Sequence, residues 1–226
     1  MYIYNKCKMV SFLLVMIGLS AGFSCHTVIE GPLVGGVTKI YHESFITGYI
    51  DKEDFSIANH IYSNSTQFYF ICKVSGETHL SGSDKFKEYS EFYGDSAFNN
   101  YKYSIEPNFK DIEDICTTGS LYNIKIICDK NFDSALAGSI LNDLFEYRAF
   151  SYSHLLKNNY KDLYGGLIAK PLSNISADDC ILLKDGYFHL VYRSETLLNP
   201  DAYTFTVSFE DETGEVFEAK STIIVR

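Results

Sequence analysis

Along most of this chain apolar and polar residues alternate with a period of two, the pattern of strands that bury one face. Residues 38–42, 44–50, 102–106 and 121–128 read as strands of this kind, and Asp51, Lys52, Glu53 and Asp54 read as a solvated turn. Residues 67–74 are nearly continuous in apolar character, which predicts a central strand. Residues 202–209 then alternate strictly, Glu210 to Gly214 supply a turn, and residues 216–225 return, so the chain ends in a β-hairpin.

Two stretches leave the period of two. Residues 83–93 predict a short helix with Ser83 as N-cap, Phe86, Tyr89 and Tyr93 on one face, and Gly94 at its end. Over residues 133–164, Leu141, Phe145, Ala149, Tyr152, Leu156, Tyr160 and Leu163 recur at spacings of three and four, which predicts one long amphipathic helix. Asp133 or Ser134 would cap its start, Gly165 and Gly166 would end it, and His154 would face away from the stripe. The expected fold is therefore a β-rich α+β one: an antiparallel sheet or sandwich, a long helix at about 133–164 and a C-terminal hairpin. No Pro-rich linker divides residues 25–226, which read as one domain, with 130–165 the one place where a cryptic boundary could fall.

The N-terminus has its own pattern. Lys6 and Lys8 precede an apolar run over residues 9–19 that ends in the small residues Ser20, Ala21 and Gly22, as in a secretory signal peptide spanning residues 1–24. The run is shorter than the roughly 18 to 20 apolar residues a bilayer span requires, and no later segment is longer, so no membrane span is expected. Gly22-Phe23-Ser24-Cys25 resembles a bacterial lipoprotein cleavage box, with Gly22 where that box usually has Leu, and makes Cys25 a candidate lipidation site. Setting Cys25 aside leaves Cys72, Cys116, Cys128 and Cys180, an even set that in an exported protein predicts two disulfides with the pairing open. Asn64 and Asn174 head Asn-x-Ser/Thr triplets and are candidate glycosylation sites.

Composition narrows the partners. The chain carries 19 Lys and Arg against 29 Asp and Glu, a net charge of −10, and residues 1–24 contribute Lys6 and Lys8 and no acid, so export deepens the imbalance. Without a basic cluster, nucleic acid and anionic membranes are disfavoured, and a protein or glycan partner is expected, a cationic one being attracted by the overall charge. The 18 Tyr and 17 Phe, with no Trp, suit half-buried strands.

Asn199-Pro200-Asp201-Ala202-Tyr203 and the hairpin that follows resemble the last two strands of an immunoglobulin-like sandwich of the polycystic-kidney-disease repeat and fibronectin III type. That resemblance implies a β-sandwich. The chain departs from antibody domains in lacking Trp and in having Ile126 where the tyrosine corner would place Tyr. Residues 150–154 and 162–168 are similar to a multicopper oxidase segment, but that family holds its copper with His-x-His pairs and here only His154 stands in the segment.

Motifs for catalysis are missing in the same way. His26, His42, His60, His79, His154 and His189 form no closely spaced pair, and there is no nucleophile elbow, phosphate-cradling glycine loop or dinucleotide fingerprint. Gly31 to Gly36 reads as a tether, while Asp111, Glu113 and Asp114 and the acids Glu210, Asp211, Glu212 and Glu215 read as polar loops. No metal or cofactor is expected. The sequence therefore predicts an exported, non-enzymatic binding or surface-interaction protein, of a kind that would suit a virulence or immune-modulating factor. The competing readings are a secreted hydrolase with scattered site residues and an envelope component anchored at Cys25.

Overall fold

The computed structural model describes residues 44–62, 67–96, 114–161, 165–194, 196 and 198–225. The signal segment, Cys25, the glycine tether, the strands expected at 38–42 and 102–106, Asn64, Asp111 and Glu113 lie outside these residues. The described fold is β-rich, with eleven strands and a single helix of more than seven residues among them.

Strand β1 is Gly48–Ile50, β2 Asp54–Ile61, β3 Phe68–Ser75, β4 Thr78–Leu80, β5 Ile115–Thr117 and β6 Tyr122–Cys128. They are followed by β7 Phe145–Ser151, β8 Leu167–Pro171, β9 Leu183–Tyr192, β10 Asp201–Glu210 and β11 Val216–Val225. Helix α1 is Asp84–Tyr93 and helix α2 is Ser153–Lys157. The larger sheet runs β2-β3-β9-β5-β1-β4, with β7 on the free side of β9 and β8 outside β7; the smaller runs β11-β10-β6. Strand β3 is central, as expected, between β2 and β9.

The expected hairpin forms in full register, from Asp201 opposite Val225 to Glu210 opposite Val216. Its alternation is the reason: Tyr203, Phe205, Val207 and Phe209 are all buried, facing Phe68, Phe70, Cys72 and Val74 of β3 across a shared core. Phe205 lies 5.6 Å from Phe68, 5.1 Å from Phe70 and 4.9 Å from Phe132, ring centroid to centroid. Along one side the two sheets are tied by Asn59, whose amide donates to Ser221 Oγ at 2.8 Å and to the Thr222 carbonyl at 3.1 Å. Along the other, the loop after β6 lies against that strand's outer edge. Leu141 N–H donates to the Ile126 carbonyl, Gly138 N–H to the Cys128 carbonyl, and the Asn142 side chain both accepts from Ile126 N–H and donates to the Ile124 carbonyl.

The long helix expected at 133–164 does not exist. The segment contains a single 3-10 turn at Asn142–Leu144, then β7, then α2. Phe145, Tyr147, Ala149 and Ser151 are buried while Glu146, Arg148 and Phe150 face outward, a period of two that the 3.6-residue count hid by passing over Tyr147. Pairing with β9 on one side and β8 on the other satisfies both edges of β7, an arrangement local propensity cannot foresee. Only Gly48–Ile50 of the strand expected over 44–50 is extended, and the turn expected at Asp51–Asp54 ends early because Asp54 opens β2.

A second, smaller core lies beyond the sandwich, built from Phe45, Ile46, Tyr49, Phe86, Cys116, Tyr152, Leu155, Tyr160 and Leu182. Helix α1 forms as expected, with Ser83 Oγ accepting from Phe86 N–H and Gly94 in the left-handed region at φ 74°. Phe86, Tyr89 and Tyr93 ring Tyr49 at centroid distances of 5.4, 5.6 and 5.8 Å. Strand β9 links the two cores, since Tyr187 to Val191 pair with β3 whereas Lys184 pairs with β5. Gly186 makes that switch possible: its φ is 73° and a Cβ there would lie 2.2 Å from the Val74 carbonyl oxygen.

The two disulfides expected from cysteine parity are absent. Cys72, Cys116, Cys128 and Cys180 are all buried and free, none at disulfide distance, and Cys116 belongs to the second core while the other three belong to the first. Burial pushes all four thiols up, Cys128 to about 11 and Cys180 to about 12. In native protein these four thiols should resist alkylation, and in denaturant without reductant all four should alkylate, as peptide mass mapping reports. Truncating Phe205 to Ala should cost about 3 to 5 kcal/mol in chemical denaturation by emptying the centre of the aromatic cluster. Leu136→Ala, at a residue 71% exposed, should change stability by less than about 0.5 kcal/mol.

Candidate functional site

The outward face of the larger sheet follows from the inward one. Because β3 buries Phe68, Phe70, Cys72 and Val74, it must turn Tyr69, Ile71 and Lys73 outward. The register then places His60 beside Tyr69, Ala58 beside Ile71 and Ser56 beside Lys73 on β2. On β9 it places Val191, His189 and Tyr187 opposite the same three residues, and β7 adds Glu146 and Arg148 opposite Val191 and His189. Tyr62, His60, Tyr69 and His189 form a run of rings across three strands, at successive centroid distances of 5.6, 5.0 and 5.7 Å.

Cations border these rings. Lys73 Nζ stands 5.2 Å from the Tyr187 ring centroid, and Arg148 pairs with Glu146, which also lies 3.9 Å from Arg193. Partial burial and the neighbouring Arg148 guanidinium both hold the His189 imidazole below its usual range, so the ring is neutral at pH 7. His60, Ala58, Ser56, Tyr187 and Arg148 are exposed and Tyr69, Ile71, Lys73, His189 and Val191 are half-buried. Lys73, Arg148 and Arg193 stand on this side with Glu146 and Asp54, and Asp185 on β9 lies near enough to Lys73 to interact with its charge, so acids and bases balance here. Neither this face nor its rings stood out in the sequence as a site; the period of two over residues 67–74 was the available signal, and the outward half of it was the informative half.

A polar junction joins the second core to the hairpin. Asp51 accepts from Tyr89 Oη at 2.7 Å and lies 2.8 Å from His79 Nε2, and these contacts hold its carboxyl below the usual range although partial burial opposes them. The other ring nitrogen of His79 lies 4.0 Å from Glu77. Lys52, its side chain 3% exposed, donates to the Thr118 carbonyl at 2.8 Å and to Glu212 at 2.6 Å.

The acids that sequence reading assigned to loops have structural partners here. Asp211 accepts from Thr213 N–H, Thr213 Oγ1 and Glu215 N–H and so shapes the hairpin turn; Glu210 accepts from Asn123. Asp114 is buried, accepting from Tyr152 Oη at 2.5 Å and from Lys184 at 3.3 Å. His154 is exposed, as expected, on α2 and contacts Asn158 at 2.7 Å. Asn174 is exposed on a 3-10 turn, Leu172–Asn174. Among the described residues no group of three His, Cys, Asp or Glu could hold a metal ion, and no helix is long and apolar enough to cross a membrane.

One carboxylate is wholly enclosed. Asp95 accepts from the backbone N–H groups of Phe45 and Ile46 at 2.9 and 2.8 Å and from Tyr160 Oη at 2.8 Å, fastening residues 45 and 46 to the second core. Burial nevertheless dominates and raises its pKa to about 6. A folded value above the unfolded one near 3.8 means that this group's contribution to stability is full below about pH 3.8 and is lost as pH rises through about 6.

No family model, no curated protein and no solved structure matches this chain. The Asp95→Asn variant should gain on wild type between pH 4 and pH 7 by an amount on the order of 3 kcal/mol, because wild type alone bears the cost of ionising a buried carboxyl. Denaturant melts of both proteins at several pH values measure that difference, and a constant gap would show that Asp95 does not titrate in this window.

Proposed function

We propose that this protein is an exported, non-enzymatic binding protein that engages its partner through the outward face of β2, β3, β9 and β7. The observation that carries the reading is the run Tyr62, His60, Tyr69 and His189, bordered by Lys73 and Arg148. Tyr and Arg are the residues that most often dominate binding energy, because each joins a broad apolar or delocalised plane to hydrogen-bonding ends. A sheet face with its rings exposed or half-buried, held by a ladder on both sides, meets a partner with little rearrangement and so at a small ordering cost. Export rests on Lys6, Lys8 and the apolar run over residues 9–19.

Wild type and the double variant Tyr69→Ala/Arg148→Ala, immobilised and probed with a mixed panel of glycans, peptides and basic proteins, test this. Ligands held by wild type should weaken at least tenfold in the double variant and be unaffected by Leu136→Ala, which lies outside the face. Turnover of ester, glycoside or peptide substrates, or binding indifferent to the double variant, would overturn the reading.

A further inference from the structure

We propose that Asp95 is the catch of a proton-operated latch. While its carboxyl carries a proton it holds Phe45 and Ile46 against the second core, and when the proton leaves, that stretch comes away locally with the sandwich still folded.

The latch is built on successive residues at the entry to the second core. Asp95 accepts from Phe45 N–H at 2.9 Å and Ile46 N–H at 2.8 Å, and the next amide, Thr47, donates to the Asp114 carbonyl at 2.9 Å. Ser44 Oγ lies 2.7 Å from Ser90 Oγ, which donates to the Asp95 carbonyl at 2.5 Å. Asp95 is itself fixed, because its N–H donates to the Ser90 carbonyl behind the left-handed Gly94 that ends α1. Ser44, Phe45 and Ile46 thus hang on Asp95, directly or through Ser90. They can leave without disturbing the sandwich: Phe45 packs on Tyr152 and Tyr160, at centroid distances of 5.8 and 6.5 Å, and no residue of 44–47 belongs to the first core.

The position disfavours charge for reasons visible in its geometry. Asp95 is wholly enclosed, and it follows the C-terminal end of α1, where the unpaired carbonyls of the helix repel an anion. Asp114, a second buried acid just ahead of β5, faces it, and the cation there, Lys184, is committed to Asp114. The remaining titratable groups that face it are Tyr49 from β1, Cys116 from β5 and Tyr160 after α2, none of which brings a positive charge. Among the described residues no Lys, Arg or His pairs with Asp95.

Protonation keeps the latch closed. Tyr160 Oη, 2.8 Å away, donates to the carboxylate and can accept from the carboxylic acid, so exchanging donor and acceptor preserves that bond in both states. The Phe45 and Ile46 amides have carboxyl oxygens to donate to in either case. Ionisation, by contrast, leaves an enclosed charge that opening relieves by giving it to water. The second core is therefore locked in acid and unlatches toward neutrality.

Amide hydrogen exchange followed by NMR, on wild type and Asp95→Asn between pH 4 and pH 7, tests the latch. A carboxyl that titrates at about 6 when latched and near 3.8 when exposed makes the opening constant at Phe45 and Ile46 rise roughly fiftyfold over that range, after correction for intrinsic exchange. In Asp95→Asn the constant should stay level. Local opening also requires that protection at Phe45 and Ile46 be lower than at Phe70 and Phe205 in the sandwich, and insensitive to low denaturant that erodes protection there. Should the variant not fold, the carboxyl carbon shift of Asp95 in wild type decides: its titration midpoint must match the pH at which the rise in opening levels off. Equal protection and equal denaturant sensitivity in the two regions would overturn the latch. A rise that persists in Asp95→Asn, a flat profile in wild type, or a midpoint that does not match would overturn Asp95 as its catch.

Discussion

The contact on which the rest of the structure depends is the meeting of the two sheets at Phe68, Phe70, Phe132, Phe145 and Phe205. These rings are packed edge to face and at intermediate tilts, the geometry their quadrupoles favour, and they fix how β3 and β10 face one another. Once the inward residues of β3 are committed, its outward residues have no freedom. Tyr69, Ile71 and Lys73 stand where they do because their neighbours in sequence are locked in the core. Interior packing thus sets the spacing of the proposed binding surface.

How much of this could be read from the chain differs by element. The hairpin and α1 were legible because their signals are local: strict alternation around a polar turn in one case, and Ser83, an aromatic face and Gly94 in the other. Strand β3 was legible as central but not as one-sided, since Tyr69 and Ile71 count as apolar in a sequence and serve as a surface in the fold. Strand β7 was misread because Leu141, Phe145 and Ala149, at steps of four, fit a helical spacing as well as a strand spacing. What decided between them was β9, forty residues away in sequence. The cysteines were misread for a related reason. Parity says nothing about whether two thiols share a core, and Cys116 sits in the other one.

The second core has a different character from the first. The sandwich interior is almost wholly apolar, whereas the region around Tyr49 interleaves rings with Asp51, Asp95 and Asp114, each tied by a tyrosine hydroxyl. Such hydrogen bonds are directional in a way that ring contacts are not, so they specify one arrangement of short strands and turns that could not define it by packing alone. The close-packed glycine at 186, in the left-handed region that glycine adopts freely, fits this division, because it lies where β9 leaves one core and enters the other.

The Asn142 side chain has a consequence for how the protein behaves in company. A strand at the rim of a sheet presents unused N–H and C=O groups that another chain can pair with, and β6, with Ile124, Ile126 and Ile127, would be an adhesive rim. Asn142 mimics a peptide group and occupies both the donor and the acceptor of that rim, while Gly138 and Leu141 occupy the next groups along. The loop is thus a built-in guard against fibril growth from that side of the sandwich, and a protein kept at high local concentration can carry an isoleucine-rich strand without polymerising through it.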